Sequence, residues 1–412
     1  MERFVRPLLY ILIGIGIVLR ILSVGWNVIP HGDITLDAKA AQAMYTHGNF
    51  QLSEDITRSQ ADQYLIQHPP VWALLGAGAM HLLHVDSFTA LRLLSFLCGI
   101  LILPLMYIIS KKYLSKDTAL LLTTLVGTSW LMIDFSGNGA LYSLHTLLFL
   151  VWIYAVLHVK KYAPLVLGIV CSVAYLTNYQ TIVLIPATVM MFLMHRTQMT
   201  KNIMLYLCVF FTCISPWLIR NHMLFGEAFF GHTINSGYLY IKAGVDTTDY
   251  IYTAEETLKV LTLIFTRWLP FNMYFVARKL FILVPVLFIP FAYSFSEYPF
   301  SWKHLRKVAP VLILFLGHLA ISTAWPVSKF RYFVPLFPLV LILGAYAVEH
   351  MHIRSRFQIK HILGASLVCN IAFSAITYFQ IPTHTYYYDG AITQDAFHGQ
   401  GEIEYMIDQG IL

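Results

Sequence analysis

The feature that most constrains this chain is a series of apolar stretches, most of them long enough for a helix to cross a lipid bilayer. A spanning helix takes about 20 predominantly apolar residues. Such stretches run at roughly 7–27, 91–110, 117–135, 140–158, 163–177, 180–195, 202–220, 280–296, 308–325, 332–349 and 361–380. Only 12% of the 412 residues are charged, against about 25% in a soluble domain. The expectation is an all-α polytopic protein of about eleven transmembrane helices. The first stretch is too long for the core of a signal peptide and has no small-residue cleavage site, so it reads as a retained span.

Charge placement sets the sidedness. With the N-terminus inside, Arg3/Arg6, Lys111-Lys112-Lys116, Lys160-Lys161, His195-Arg196-Lys201, Lys303-Arg306-Lys307 and Arg354-Arg356-Lys360 all fall on one side. That is the positive-inside pattern. Merging 163–177 with 180–195 around Thr177-Asn178-Tyr179-Gln180 would break it, so the two are kept as separate spans. The outside segments are longer, more aromatic and more acidic: 28–90, 221–279 and the tail 381–412. The expected organisation is therefore a membrane domain over 1–380 with a C-terminal outer tail. Two outer pieces read as helices lying at the surface: one started by Pro69-Pro70, where proline suits a first turn, and one over 253–278.

Several classes of chemistry find no support. No basic stripe stands outside the short loops, which argues against nucleic acid. The five cysteines lie in apolar stretches without metal-ligand spacing. No H-E-x-x-H, P-loop or strand-to-helix G-x-G-x-x-G occurs among the residues.

The polar segment from Pro30 to Pro70 holds the main candidates. Asp33 and Asp37 stand four apart, hence on one face if the stretch is helical. Two readings stand. In one, Asp33 caps the helix, with Thr35 helping. In the other, the pair supplies a general base or holds a divalent cation. Asp134 closes the third span, as a turn residue or as a second carboxylate of an outer pocket. Lys329 and Arg331, against the inside-positive trend, suit an anionic partner such as a lipid phosphate; snorkelling to headgroups is the plainer reading. Arg220 sits at another outer end. His68, before Pro69-Pro70, reads as a cap-region residue or as a donor to phosphate or sugar. Tyr64 is an aromatic that could stack on sugar or belong to the interfacial belt.

Taken in order, Asp33, Gly48-Asn49-Phe50, His68-Pro69-Pro70, Leu91-Arg92-Leu93-Leu94-Ser95, Ala174-Tyr175-Leu176-Thr177, Pro216-Trp217-Leu218-Ile219-Arg220-Asn221 with Phe225-Gly226, and Arg331-Tyr332-Phe333-Val334-Pro335-Leu336-Phe337-Pro338 resemble the GT-C class of integral-membrane glycosyltransferases. The protein O-mannosyltransferases and the aminoarabinose-to-lipid-A transferases are the most similar groups. The resemblance covers about residues 8 to 350. It implies an inverting transfer from a polyprenyl-phosphate sugar to a lipid, glycan or protein acceptor on the periplasmic or outer face of the inner membrane. It places the catalytic carboxylate on Asp33, with Asp37 second, a further acidic residue on Asp134, and donor-phosphate ligands on Arg331 and Lys329. The departures are Ile34 where relatives carry Asp-Glu, Gln67-His68-Pro69-Pro70 for Glu-Lys-Pro-Pro, and Asn178 where a basic residue is common. The lost carboxylate at Gln67 puts a divalent metal in doubt. A transporter or flippase, and a catalytically silent protein of the same fold, are the competing expectations.

Overall fold

The structure, a computed structural model, describes residues 2–26, 32–52, 64–65, 68–195, 198–245, 253–274, 302–324, 330–350, 364–372 and 374–375. Among them the chain is helical, apart from turns and one antiparallel bridge between Gln51 and Tyr64. Four helices are long and apolar enough to cross a membrane alone. They are α1 (Glu2–Trp26), α4 (Ser87–Tyr113), α10 (Met199–Phe225) and α13 (Trp302–Ala324). A bent pair, α5 (Lys116–Thr128) and α6 (Trp130–Gly137), which meet at 55°, passes the same test when taken together. Shorter apolar helices fill the spaces between: α3 (Val71–Leu83), α7 (Tyr142–His158), α8 (Ala163–Tyr175), α9 (Leu184–His195) and α14 (Leu336–His350). This is a multi-pass membrane protein. Of the eleven expected stretches, 280–296 lies outside the described residues, and 361–380 is described only at 364–372 and 374–375.

Contacts define two ends. At one, Arg6 bonds Asp117 at 2.9 Å, and Arg306 donates to the Met194 carbonyl at 2.9 Å. There too the Glu349 carboxylate accepts from the backbone N–H and hydroxyl of Ser115 and from Thr118, satisfying the start of α5 from the far end of α14. These are the ends that carry the short basic clusters. At the other end α2 (Gly32–His47) and α3 pack together over the mouth of the bundle.

The ambiguity over residues 163–195 resolves by geometry. Cys171 on α8 meets both the Leu184 carbonyl and the Thr188 hydroxyl on α9, across a turn at 176–178. The chain therefore turns back on itself between the two helices. Asn178 starts the second one: its side-chain oxygen accepts from Gln180 N at 2.9 Å, capping a 3-10 turn, Tyr179–Val183, that leads into α9. The other end of the turn supplies the Leu176 carbonyl, which accepts at 2.8 Å from Val71 N. A free N–H at the start of α3 is thus satisfied by tertiary contact rather than by a capping side chain.

The break between α5 and α6 follows the same logic. Ending α5 at Thr128 removes helical partners from its last carbonyls. Arg20, wholly buried on α1, donates to the carbonyls of Val126 (2.9 Å) and Gly127. Asn370 donates to the Leu125 carbonyl at 3.2 Å, and the Ser374 hydroxyl accepts from Trp130 N at 3.0 Å. The helices come this close because Gly16 faces Gly127: a side chain at Gly16 would run into the Gly127 carbonyl. Irregular backbone inside a membrane protein is tolerated where such partners exist.

Candidate functional site

The polar end is assembled from three turns. The first is the start of α3. Asp37, buried on α2, accepts a 2.8 Å hydrogen bond from Nδ1 of His68, whose ring is one-fifth exposed. A carboxylate that holds one imidazole nitrogen fixes the ring, the arrangement by which an acidic residue orients a histidine. Four residues on, Trp72 donates its indole N–H at 3.1 Å to the Gly139 carbonyl.

That carbonyl belongs to the second turn, Asn138–Ala140, which follows Asp134. Asp134 is buried on α6. Its carboxylate accepts from the Asn138 amide at 3.3 Å, while the Asn138 side-chain oxygen accepts from Ala140 N at 2.9 Å. Gly139 has φ +88°, a conformation side chains disfavour, and a Cβ there would lie in ordinary van der Waals contact with Arg92 and Ile34. Ile34 is one helical turn before Asp37, so the Asp134 turn and the Asp37 helix touch.

The third turn is the 3-10 segment Phe330–Phe333. Arg331 is buried in it, with its guanidinium 5.5 Å from the Tyr332 ring centroid. Tyr332 lies 6.5 Å from Tyr142, at the start of α7 just past the Asp134 turn. Asp37, His68, Asp134 and Arg331 thus gather at one end of the bundle.

Arg220 and Tyr64 form a separate unit. Arg220 lies within α10 rather than beyond it. Its guanidinium sits 4.5 Å from the Trp217 ring centroid and 5.8 Å from those of Phe50, Tyr64 and Phe225. It donates to the Leu65 carbonyl at 3.1 Å and to Asn221 at 3.0 Å. These contacts pin Phe50, Tyr64 and Leu65 to α10 by cation–π and charge-assisted bonds. Lys329 lies outside the described residues. Asp33 falls on α2, one turn before Asp37, and its side chain likewise lies outside them. Among the described residues no three His, Cys, Asp or Glu side chains cluster as metal ligands; Asp37, one half of the expected pair, has an oxygen engaged by His68.

Beside the Arg220 box, His232 on α11 (Phe230–Lys242) stacks on Tyr175 and Tyr179 and meets the Tyr175 hydroxyl at 2.5 Å. Burial pushes His232 below the ordinary histidine value of 6.5. The unfolded chain then takes up the proton first. The residue's contribution to stability is therefore complete above about pH 6.5 and is lost as pH falls through the lower folded-state value. The melting midpoint in detergent should drop on acidification, and His232→Gln should shrink that drop.

Sequence reading missed Arg20, His145 and His318. Arg20 carried a signal, since a charge inside an apolar stretch flags a built site. The two histidines carried none that their spacing could show.

The arrangement is that of the GT-C fold, the architecture of integral-membrane glycosyltransferases. Residues 67–219 match the dolichyl-phosphate-mannose-protein mannosyltransferase family. Among solved structures, ArnT from Cupriavidus metallidurans in the apo state is 14% identical, with a TM-score of 0.55 over 85% of this chain and 61% of that one. The same protein bound to undecaprenyl phosphate gives 0.52, at 14% identity, over 91% and 74%. The Archaeoglobus fulgidus oligosaccharyltransferase in the apo form gives 0.59, at 14% identity, over 98% and 59%. The chain thus spans about three-fifths of the length of the apo ArnT structure. No curated protein sequence matches it.

Proposed function

We propose that this chain is an inverting membrane glycosyltransferase. It moves a sugar from a polyprenyl-phosphate donor to a lipid, glycan or protein acceptor at the periplasmic or outer face of the cell's inner membrane. The observation that carries this is the gathering of Asp37–His68, Asp134 and Arg331 at the end away from the basic clusters, on a fold shared with ArnT and the oligosaccharyltransferase. Solved structures of those two hold undecaprenyl phosphate and, with an inhibitory peptide, dolichol-phosphate.

In this reading Asp33 takes the proton from the acceptor hydroxyl. The acceptor oxygen bonds to the anomeric carbon as the bond from that carbon to the phosphate oxygen breaks, and the polyprenyl phosphate leaves. Arg331 and Lys329, with His68 oriented by Asp37, meet the charge that develops on the leaving phosphate. Asp134 lines the same pocket, and Arg220 with Tyr64 holds the outer segment over it. No step is routed through a metal. The transporter or flippase reading is not favoured by the family match or by the structural neighbours.

Mass spectrometry of envelope glycans and glycolipids in a deletion strain tests the proposal. One missing sugar is expected. Unchanged glycans, together with no transfer by the purified protein from any undecaprenyl-phosphate sugar, would overturn it in favour of a catalytically silent protein.

A further inference from the structure

Two histidines deep in the bundle have a use that the transfer chemistry does not assign. His145 on α7 and His318 on α13 are both wholly buried, with ring centroids 5.2 Å apart and planes at 89°. Phe149 packs edge-on against both, at 4.6 and 5.2 Å.

Their hydrogen bonds settle which nitrogen carries the proton in each uncharged ring. Nε2 of His318 lies 3.0 Å from the Tyr332 carbonyl. A carbonyl only accepts, so this nitrogen holds the hydrogen and Nδ1 is bare. For His145 the orientation of Asn178 decides. The Asn178 oxygen is committed to the N–H of Gln180, so its NH₂ group is what faces Nδ1 of His145, at a long 3.5 Å. That nitrogen accepts, and Nε2 carries the hydrogen. Nε2 of His145 and Nδ1 of His318 are both buried and have no hydrogen-bond partner among the described residues. Adjacent rings thus present one unsatisfied donor and one unsatisfied acceptor. Leaving either group so is costly in a protein interior.

We infer that His145 and His318 form a site for a single hydroxyl group, which accepts from Nε2–H of His145 and donates to Nδ1 of His318. Only a group that does both satisfies the pair. A carbonyl cannot donate, and an ammonium cannot accept. Two sources have this chemistry: a bound water, which needs two or more polar partners in a buried site, and a hydroxyl of a lipid-linked sugar. The second source rests on the glycosyltransferase reading; the first does not. The site ties α7 to α13 and to the backbone next to Arg331. It also gives Asn178 a role in orienting His145, where a basic residue is common in similar proteins.

A double-mutant cycle reads the shared group. His145→Asn keeps an acceptor for the Asn178 amide and deletes the Nε2 donor. His318→Gln keeps a donor to the Tyr332 carbonyl and deletes the Nδ1 acceptor. Each single variant should lower the melting midpoint of the purified protein by a few degrees, and the double variant should lower it no further than the worse single. The cycle is run without lipid, with undecaprenyl phosphate and with an undecaprenyl-phosphate hexose. Non-additivity without lipid identifies water. Non-additivity only with the hexose-bearing lipid identifies a sugar hydroxyl. Additive losses in all three conditions overturn the inference. Failure of the wild-type protein to transfer sugar would remove the second source and leave the water arm to be read on its own.

Discussion

Asp33→Asn is expected to abolish sugar transfer, lowering the single-turnover rate by roughly 10²–10⁴-fold, with membrane insertion and melting midpoint unchanged. The magnitude is that of a positioned general base. Amide for carboxylate keeps the size but removes the charge, the basicity and one acceptor oxygen. Asp33 lies in the first turn of α2, where a carboxylate is favoured by the helix dipole. Asp37, one turn later, is buried and holds His68. A carboxylate so engaged is suited to orienting a histidine rather than to collecting a proton from an incoming hydroxyl. Asp37→Asn should therefore act differently. The amide can still meet the ring but no longer balances a protonated imidazole, so donor KM should rise while part of kcat survives. Wild-type transfer by Asp33→Asn, with loss in Asp37→Asn, would move the base to Asp37.

The largest effect on stability is expected at Arg20. Arg20→Met keeps the apolar stem within α1 and removes the donors to the Val126 and Gly127 carbonyls. Two buried acceptors left without partners cost on the order of 2–6 kcal/mol together, at about 1–3 each. The loss falls on the break between α5 and α6, one and a half turns before Asp134. Arg20→Lys should recover only part of it, because an ammonium is a point donor and the guanidinium is a fork that reaches two carbonyls. The apparent melting midpoint in detergent reads the change. A midpoint within a degree of wild type for Arg20→Met would show that α5 and α6 do not depend on this contact.

Much of the architecture was legible before any coordinates. The apolar stretches between basic clusters marked the four long helices and the bent pair. The same clusters argued that 163–177 and 180–195 are separate segments, and the contacts of Cys171 with Leu184 and Thr188 show the chain turning back between them. Pro69-Pro70 marked the start of α3, and the four-residue spacing of Asp33 and Asp37 put both on one helix. Legibility failed where a helix is interrupted. Residues 117–135 read as one apolar span, yet the chain bends by 55° after Thr128. Nothing local demands that bend; partners on α1 and at 370–374 permit it. Legibility was also short at Arg220, whose guanidinium sits among Trp217 and Phe225 of its own helix and the remote Phe50 and Tyr64.

The division has a physical cause. Hydropathy, charge and helical period are properties of neighbours in the chain, so the sequence by itself determined a polytopic helical protein and the helix carrying the two aspartates. Contact between remote groups is a property of packing. Asp37 and His68 are 31 residues apart, and Arg20 and Gly127 are 107 apart. Only the tertiary structure decided that an acid would hold a histidine, that an arginine would cap a broken helix, and that the rings of His145 and His318 would pack together with one nitrogen of each unpartnered among the described residues.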